Sequence, residues 1–237
     1  MPKIWYLETV VERNSMNASQ IKTKQRVSDH GEVFTADREV NAMLDLVKHE
    51  TERIDSRFLE PACGDGNFLA EVLRRKLNVV KARYSKNADC YERYAVIAVA
   101  SIYGVELLSD NTEDCRKRLF EIFDNEYTEI CRDVANDETR ESVRYILSKN
   151  ITCGDALTMR DSSGEPIIFS EWSAINGFLI KRRDFRLDQL LEESTKDLQI
   201  DIFGDRGNYE YDETGAVVLS PIREFPPTHY RAVQRHE

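Results

Sequence analysis

One stretch limits the fold of this chain more than any other: Arg57-Phe58-Leu59-Glu60-Pro61-Ala62-Cys63-Gly64-Asp65-Gly66-Asn67-Phe68. Phe58 and Leu59 close a short apolar run and Pro61 cannot donate to a ladder, so a strand ends at Glu60. Two glycines one residue apart then supply backbone freedom where a ligand must come close. From Asn67 the apolar period becomes helical, with Leu69, Val72, Leu73 and Lys76 on one face. Strand, glycine turn and helix N-terminus together predict the first unit of a nucleotide-type α/β fold.

The residues of the turn narrow the ligand. A dinucleotide site needs G-x-G-x-x-G, but Leu69 stands at the third glycine position, and no Gly-Lys-Ser/Thr follows. The turn has instead an acid before it, Glu60, and another inside it, Asp65. Carboxylates suit an ammonium group and ribose hydroxyls better than phosphates, because hydrogen bonds to an ionised acceptor are the stronger kind. S-adenosylmethionine (SAM) carries both groups. An ordinary glycine-rich turn is the alternative, and Glu60 to Phe68 is a more specific string than G-x-G alone.

Glu60 to Phe68 resembles the SAM-binding motif of the DNA adenine methyltransferases of restriction-modification systems. Gly31-Glu32-Val33-Phe34-Thr35-Ala36 is similar to the upstream cofactor motif of that family, with Phe34 and Thr35 free to face the ligand. Tyr103-Gly104-Val105-Glu106 resembles its second strand and Cys153-Gly154-Asp155-Ala156-Leu157 its third. The resemblance implies a Rossmann-like class I methyltransferase fold, an α/β three-layer sandwich around a mostly parallel sheet. It also implies SAM as cofactor, held by Phe34, Thr35, Glu60, the run Ala62-Cys63-Gly64-Asp65-Gly66-Asn67-Phe68, Glu106, Asp155 and Ala156. Glu106 would take the ribose hydroxyls and Asp155 the adenine amino group. Asp155 could otherwise be a simple turn aspartate after Gly154.

The resemblance stops where chemistry should begin. Enzymes of that family carry Asn/Asp-Pro-Pro-Tyr/Phe after the fourth strand, and this chain has no such motif. Its fourth strand is expected at Pro166 to Trp172, followed by Asn176-Gly177-Phe178, an echo without the prolines. The candidate catalytic residues are Glu171, to accept from an amine, Trp172, to stack on a flipped base, and Asn176. A buried Trp172 closing the sheet is the competing reading.

The 237 residues suffice for one domain with a sizeable core. Residues 1–30 read as an N-terminal arm, 31–160 as the cofactor-binding half and 161–237 as a reduced substrate half without a target-recognition domain. A net charge of −10 opposes non-specific attachment to nucleic acid, so contact with DNA would need a local basic patch or a partner subunit. Arg74, Arg75, Lys76, Lys81, Arg83 and Lys86 are the best patch, and Lys22, Lys24 and Arg26 make a second, although solvated surface explains both.

Five scattered cysteines without C-x-x-C read as reduced cytoplasmic thiols, and four histidines show no metal spacing. No export signal or membrane span is expected. Thr35 or Asp37 should cap a helix with Val40, Met43, Leu44 and Val47 inward, and two helices should fill 111–149, broken at Asn136-Asp137. Three functions fit: a compact DNA adenine methyltransferase with an altered catalytic loop, a SAM-binding subunit that works with a partner chain in a restriction or defence system, or a methyltransferase of a non-DNA substrate.

Overall fold

The computed structural model describes residues 4–6, 35–189, 210–211, 217–218 and 220–235. Phe34 and the arm residues Lys22, Lys24 and Arg26 lie outside them. The chain is an α/β protein. Its main sheet runs in the order β1 (Ile4–Tyr6), β2 (Arg57–Glu60), β3 (Ile102–Glu106), β4 (Ile151–Asp155) and β5 (Arg160–Asp161). β1 to β4 are parallel, and β5 turns back antiparallel on β4. Parallel neighbours require crossovers, which the helices supply. Of these, α1 (Asp37–Leu46) and α2 (Lys48–Thr51) precede β2. The pair α3 (Asn67–Tyr84) and α4 (Ala88–Ala100) joins β2 to β3, and α5 (Ser109–Cys131) with α6 (Asp137–Asn150) joins β3 to β4.

Strand alternation separates two apolar clusters. Phe58, Ile102 and Ile151 turn to the helices and share a core with Leu69, Leu73, Val96, Phe123 and Ile146. Leu59, Tyr103 and Val105 turn the other way, onto Ile167, Phe169 and Leu187. Where a three-layer sandwich would have helices on this second face, the described residues place a β-hairpin, β6 (Ile168–Ala174) and β7 (Leu179–Arg186). The expected fourth strand therefore does not extend the parallel sheet. Among the described residues it pairs with β7 alone, whose other side takes β10 (Arg223–Glu224) and β11 (Thr228–His229); β8 (Glu210–Tyr211) and β9 (Val217–Val218) form a two-stranded sheet of their own. The place beside β2 is filled by β1.

Two local expectations change as well. The N-cap of α1 is Ala36, whose N–H donates to Glu39 Oε2 at 3.4 Å, so neither Thr35 nor Asp37 caps it. The basic cluster on α3 is largely neutralised. Arg75 pairs with Asp45 and Glu71, Arg74 with Glu71, and Lys81 with Glu126 and Glu129. Lys76 is fully buried, where its ammonium donates to the carbonyls of Arg53, Ile54 and Ser56 and to Ser101 Oγ. Burial pulls this amine down from 10.5 to about 7, so the side chain holds the loop before β2 against α3 through its hydrogen bonds and does not serve a phosphate. The break at Asn136-Asp137 is as read: Asn136 caps α6 by accepting from Thr139 N at 2.9 Å.

Candidate functional site

The C-terminal ends of the parallel strands bring Glu60, Glu106 and Asp155 to one edge of the sheet, with the glycine turn between β2 and α3 beside them. The turn is built by backbone constraint. Gly64 and Gly66 have φ of +54° and +85°, in the left-handed region that side chains disfavour. Cys63 N donates to Val105 O at 3.0 Å, and Gly66 N to Cys63 O at 2.8 Å, so the loop is stitched to β3 as well as to itself. Close packing explains two more features. A Cβ on Gly66 would stand 2.6 Å from Cys115 Sγ, and one on Gly104 would stand 2.8 Å from Cys63 Sγ.

The carboxylates divide by what they touch. Glu106 accepts from Gly64 N at 2.9 Å and Leu108 N at 3.0 Å, so it ties the turn to the start of α5. Asn111 Nδ2 adds a third donor at 3.3 Å. Asp65 accepts from Arg118 of α5 at 2.5 Å through Oδ2, while its Oδ1 is buried without a partner. Asp155 opens the β4–β5 hairpin, accepting from Leu157 N at 2.8 Å and Thr158 Oγ1 at 3.1 Å. That is the turn-aspartate arrangement.

Glu60 is different. It is 3% exposed, and its Oε2 has no hydrogen-bond partner. Burial pushes its carboxyl up from 4.5 to about 7, against a hydrogen bond from the Ala62 backbone that pulls it down. The folded state therefore favours the protonated acid. Ionising it costs stability that is absent at low pH, grows as pH rises from the unfolded value of 4.5, and is complete above about 7. At roughly 1.4 kcal/mol per unit the full cost is about 3 kcal/mol. Denaturant unfolding at pH 5 and pH 8 is expected to show Glu60→Gln gaining about that much on the wild type at the higher pH. A difference independent of pH would show that Glu60 is ionised throughout.

The remaining turn residues split between surface and core. Ala62 is exposed, Phe68 is buried at 7%, and Asn67 Nδ2 reaches Thr35 O at 2.7 Å, which brings the segment before α1 against the turn. The Cys63 thiol lies against Cys115; that hydrogen bond and then burial raise it well above the ordinary thiol range, which makes it a packing group. Ala156 packs into the second apolar cluster.

The three candidate catalytic residues are not at this edge. Glu171 lies between Arg57, the first residue of β2, and Arg183. Trp172 is 7% exposed, and its Nε1 donates at 2.9 Å to Asn150 Oδ1, while Asn150 Nδ2 donates to Ala100 O and Ile102 O. Arg57, Ile102 and Asn150 mark the N-terminal ends of the strands, opposite the glycine turn. Asn176 and Gly177 form the exposed β6–β7 turn, with Gly177 at φ +69°. Four residues, 175–178, connect the two strands, and a glycine at the single left-handed position among them accounts for Gly177.

Sequence reading missed two kinds of residue here. Cys115 and Arg118, one helical turn apart on α5, back the glycine turn: Cys115 packs under Gly66 and Arg118 pairs with Asp65. Their i, i+3 spacing was visible, but nothing local said which loop they would meet. Leu107 and Leu157, directly after β3 and in the turn after β4, are 58% and 93% exposed at the same edge. No protein-family model, curated protein or solved structure matches this chain. Among the described residues no group of His, Cys, Asp and Glu could hold a metal ion, and no helix is long and apolar enough to cross a membrane.

Proposed function

We propose that the chain binds SAM at the C-terminal edge of its parallel sheet and serves methyl transfer of the DNA adenine type together with a partner chain. The observation that carries this reading is the glycine turn. A strand-to-helix connection with two left-handed glycines, on the carboxyl edge of a parallel sheet and braced by an acid at the end of the next strand, is where nucleotide-type ligands bind in α/β folds. The donor set suits SAM. Buried carboxylate oxygens without partners on Glu60 and Asp65 fit an ammonium group, and exposed Leu107 and Leu157 fit the faces of an adenine ring. On this reading the fold is the cofactor-binding half of a Rossmann-like methyltransferase, and SAM, when bound, supplies the activated methyl group. The chain's own part is to bind and orient it through Glu60, the turn from Ala62 to Phe68, and Glu106.

A partner is favoured because Glu171, Trp172 and Asn176 stand away from that edge and the chain has no Asn/Asp-Pro-Pro-Tyr/Phe motif. The paired state of the α3 cations also leaves DNA contact to the partner. Titration calorimetry with SAM and S-adenosylhomocysteine tests the reading. Binding is expected, and Glu106→Ala should weaken it by about tenfold to a hundredfold, the equivalent of about 1.5–3 kcal/mol for lost charged hydrogen bonds. No heat with either ligand from folded protein would sink it. With tritiated SAM and mixed DNA, label should appear only when the partner is added; label from the chain alone would instead make it a self-sufficient enzyme, and label in RNA or protein would move the substrate.

A further inference from the structure

Glu60 is a buried carboxyl with an unpartnered oxygen at the end of β2, and the described groups around it supply no positive charge. Glu106 stands at the end of the neighbouring strand, and the Cys63 and Cys115 thiols fill the space beneath the turn. The guanidinium of the turn, Arg118, is engaged by Asp65, and Arg57, at the far end of the same strand, is engaged by Glu171. A carboxylate buried without a cation is expensive, so the group stays neutral until one arrives.

We propose that Glu60 holds a proton in the free protein and gives it up when the ammonium group of an amino-acid-bearing nucleoside settles against it, so that the site takes its ligand in exchange for a proton. The balance is simple: the Glu60 O–H bond breaks, the proton passes to the buffer, and the carboxylate accepts a hydrogen bond from the ligand ammonium. A neutral nucleoside gains nothing from the exchange, because it offers no charge to replace the proton. This rests on the SAM reading above and deepens it: Glu60 becomes the residue that selects for the cationic end of the ligand.

The test uses S-adenosylhomocysteine with the full chain, by calorimetry at pH 6 in two buffers of different ionisation enthalpy. The expected result is a buffer-dependent heat equivalent to about one proton released per ligand, shrinking towards pH 8, with affinity rising by up to about tenfold per pH unit below pH 7 and levelling off above it. Glu60→Gln should bind with the same heat in both buffers, and 5′-methylthioadenosine, which lacks the amino-acid end, should release no proton from the wild type. Heat with S-adenosylhomocysteine that is identical in the two buffers, or equal proton release from Glu60→Gln, would overturn the exchange while leaving the SAM reading in place. Absence of any heat would overturn both.

Discussion

Replacing Glu92 by alanine is expected to lower the unfolding free energy by about 3–5 kcal/mol, the cost of leaving a buried charge network without its anion. Glu92, on α4, is 1% exposed. It accepts from Tyr127 of α5 at 2.6 Å, Thr139 of α6 at 2.7 Å and Tyr230 at 2.8 Å, and it pairs with the Arg231 guanidinium. One carboxylate thus joins three helices to the C-terminal helical turn. Burial alone would raise its carboxyl; Arg231 and the hydroxyl donors outweigh that and hold it below the usual carboxylate range. Its contribution is therefore present at neutral pH and lost as the solution becomes acid enough to protonate it. Glu92→Gln keeps the shape and removes the charge, so it should cost about 1.5–3 kcal/mol. Urea unfolding of the three proteins at pH 7 gives the comparison, and a loss under 1 kcal/mol for the alanine variant would mean that the cluster is solvated.

The second large effect is at the glycine turn. Gly66→Ala places a side chain at φ +85°, worth about 1–2 kcal/mol of backbone strain, and drives its Cβ to 2.6 Å from Cys115 Sγ. Overpacking of that kind costs about 1–3 kcal/mol more, so about 2–5 kcal/mol in total is expected. The two contributions can be separated. Combined with Cys115→Ala, which removes the sulfur, Gly66→Ala should cost less than the sum of the single changes, by a coupling of about 0.5–3 kcal/mol. Strict additivity would show that the backbone alone is responsible. Because the turn carries Gly64 N to Glu106, the variant is also expected to lose affinity for S-adenosylhomocysteine even where it remains folded.

What could be read from the sequence here was local. Pro61, the left-handed demands of Gly64 and Gly66, and the change of period at Asn67 act within a few residues, so the chain from Arg57 onward fully determines a strand, a turn and a helix. The strands ending in Glu106 and Asp155 and the helix break at Asn136 were legible for the same reason.

Partner choice was not, because it depends on residues far away in the chain. Asp65 meets Arg118, 53 positions later, and Glu171 meets Arg57, 114 positions earlier. Trp172 carries the aromatic surface that a base-stacking residue needs, but strand order decided its role. β6 pairs with β7 and passes beneath the sheet, so Trp172 finds Asn150 at the edge opposite the glycine turn. The same non-local packing made Glu60 unlike the other acids. Its sequence position marks it as an acid at a strand end; its burial, with no counter-charge among the described residues, exists once β1, β3 and the turn have closed around it.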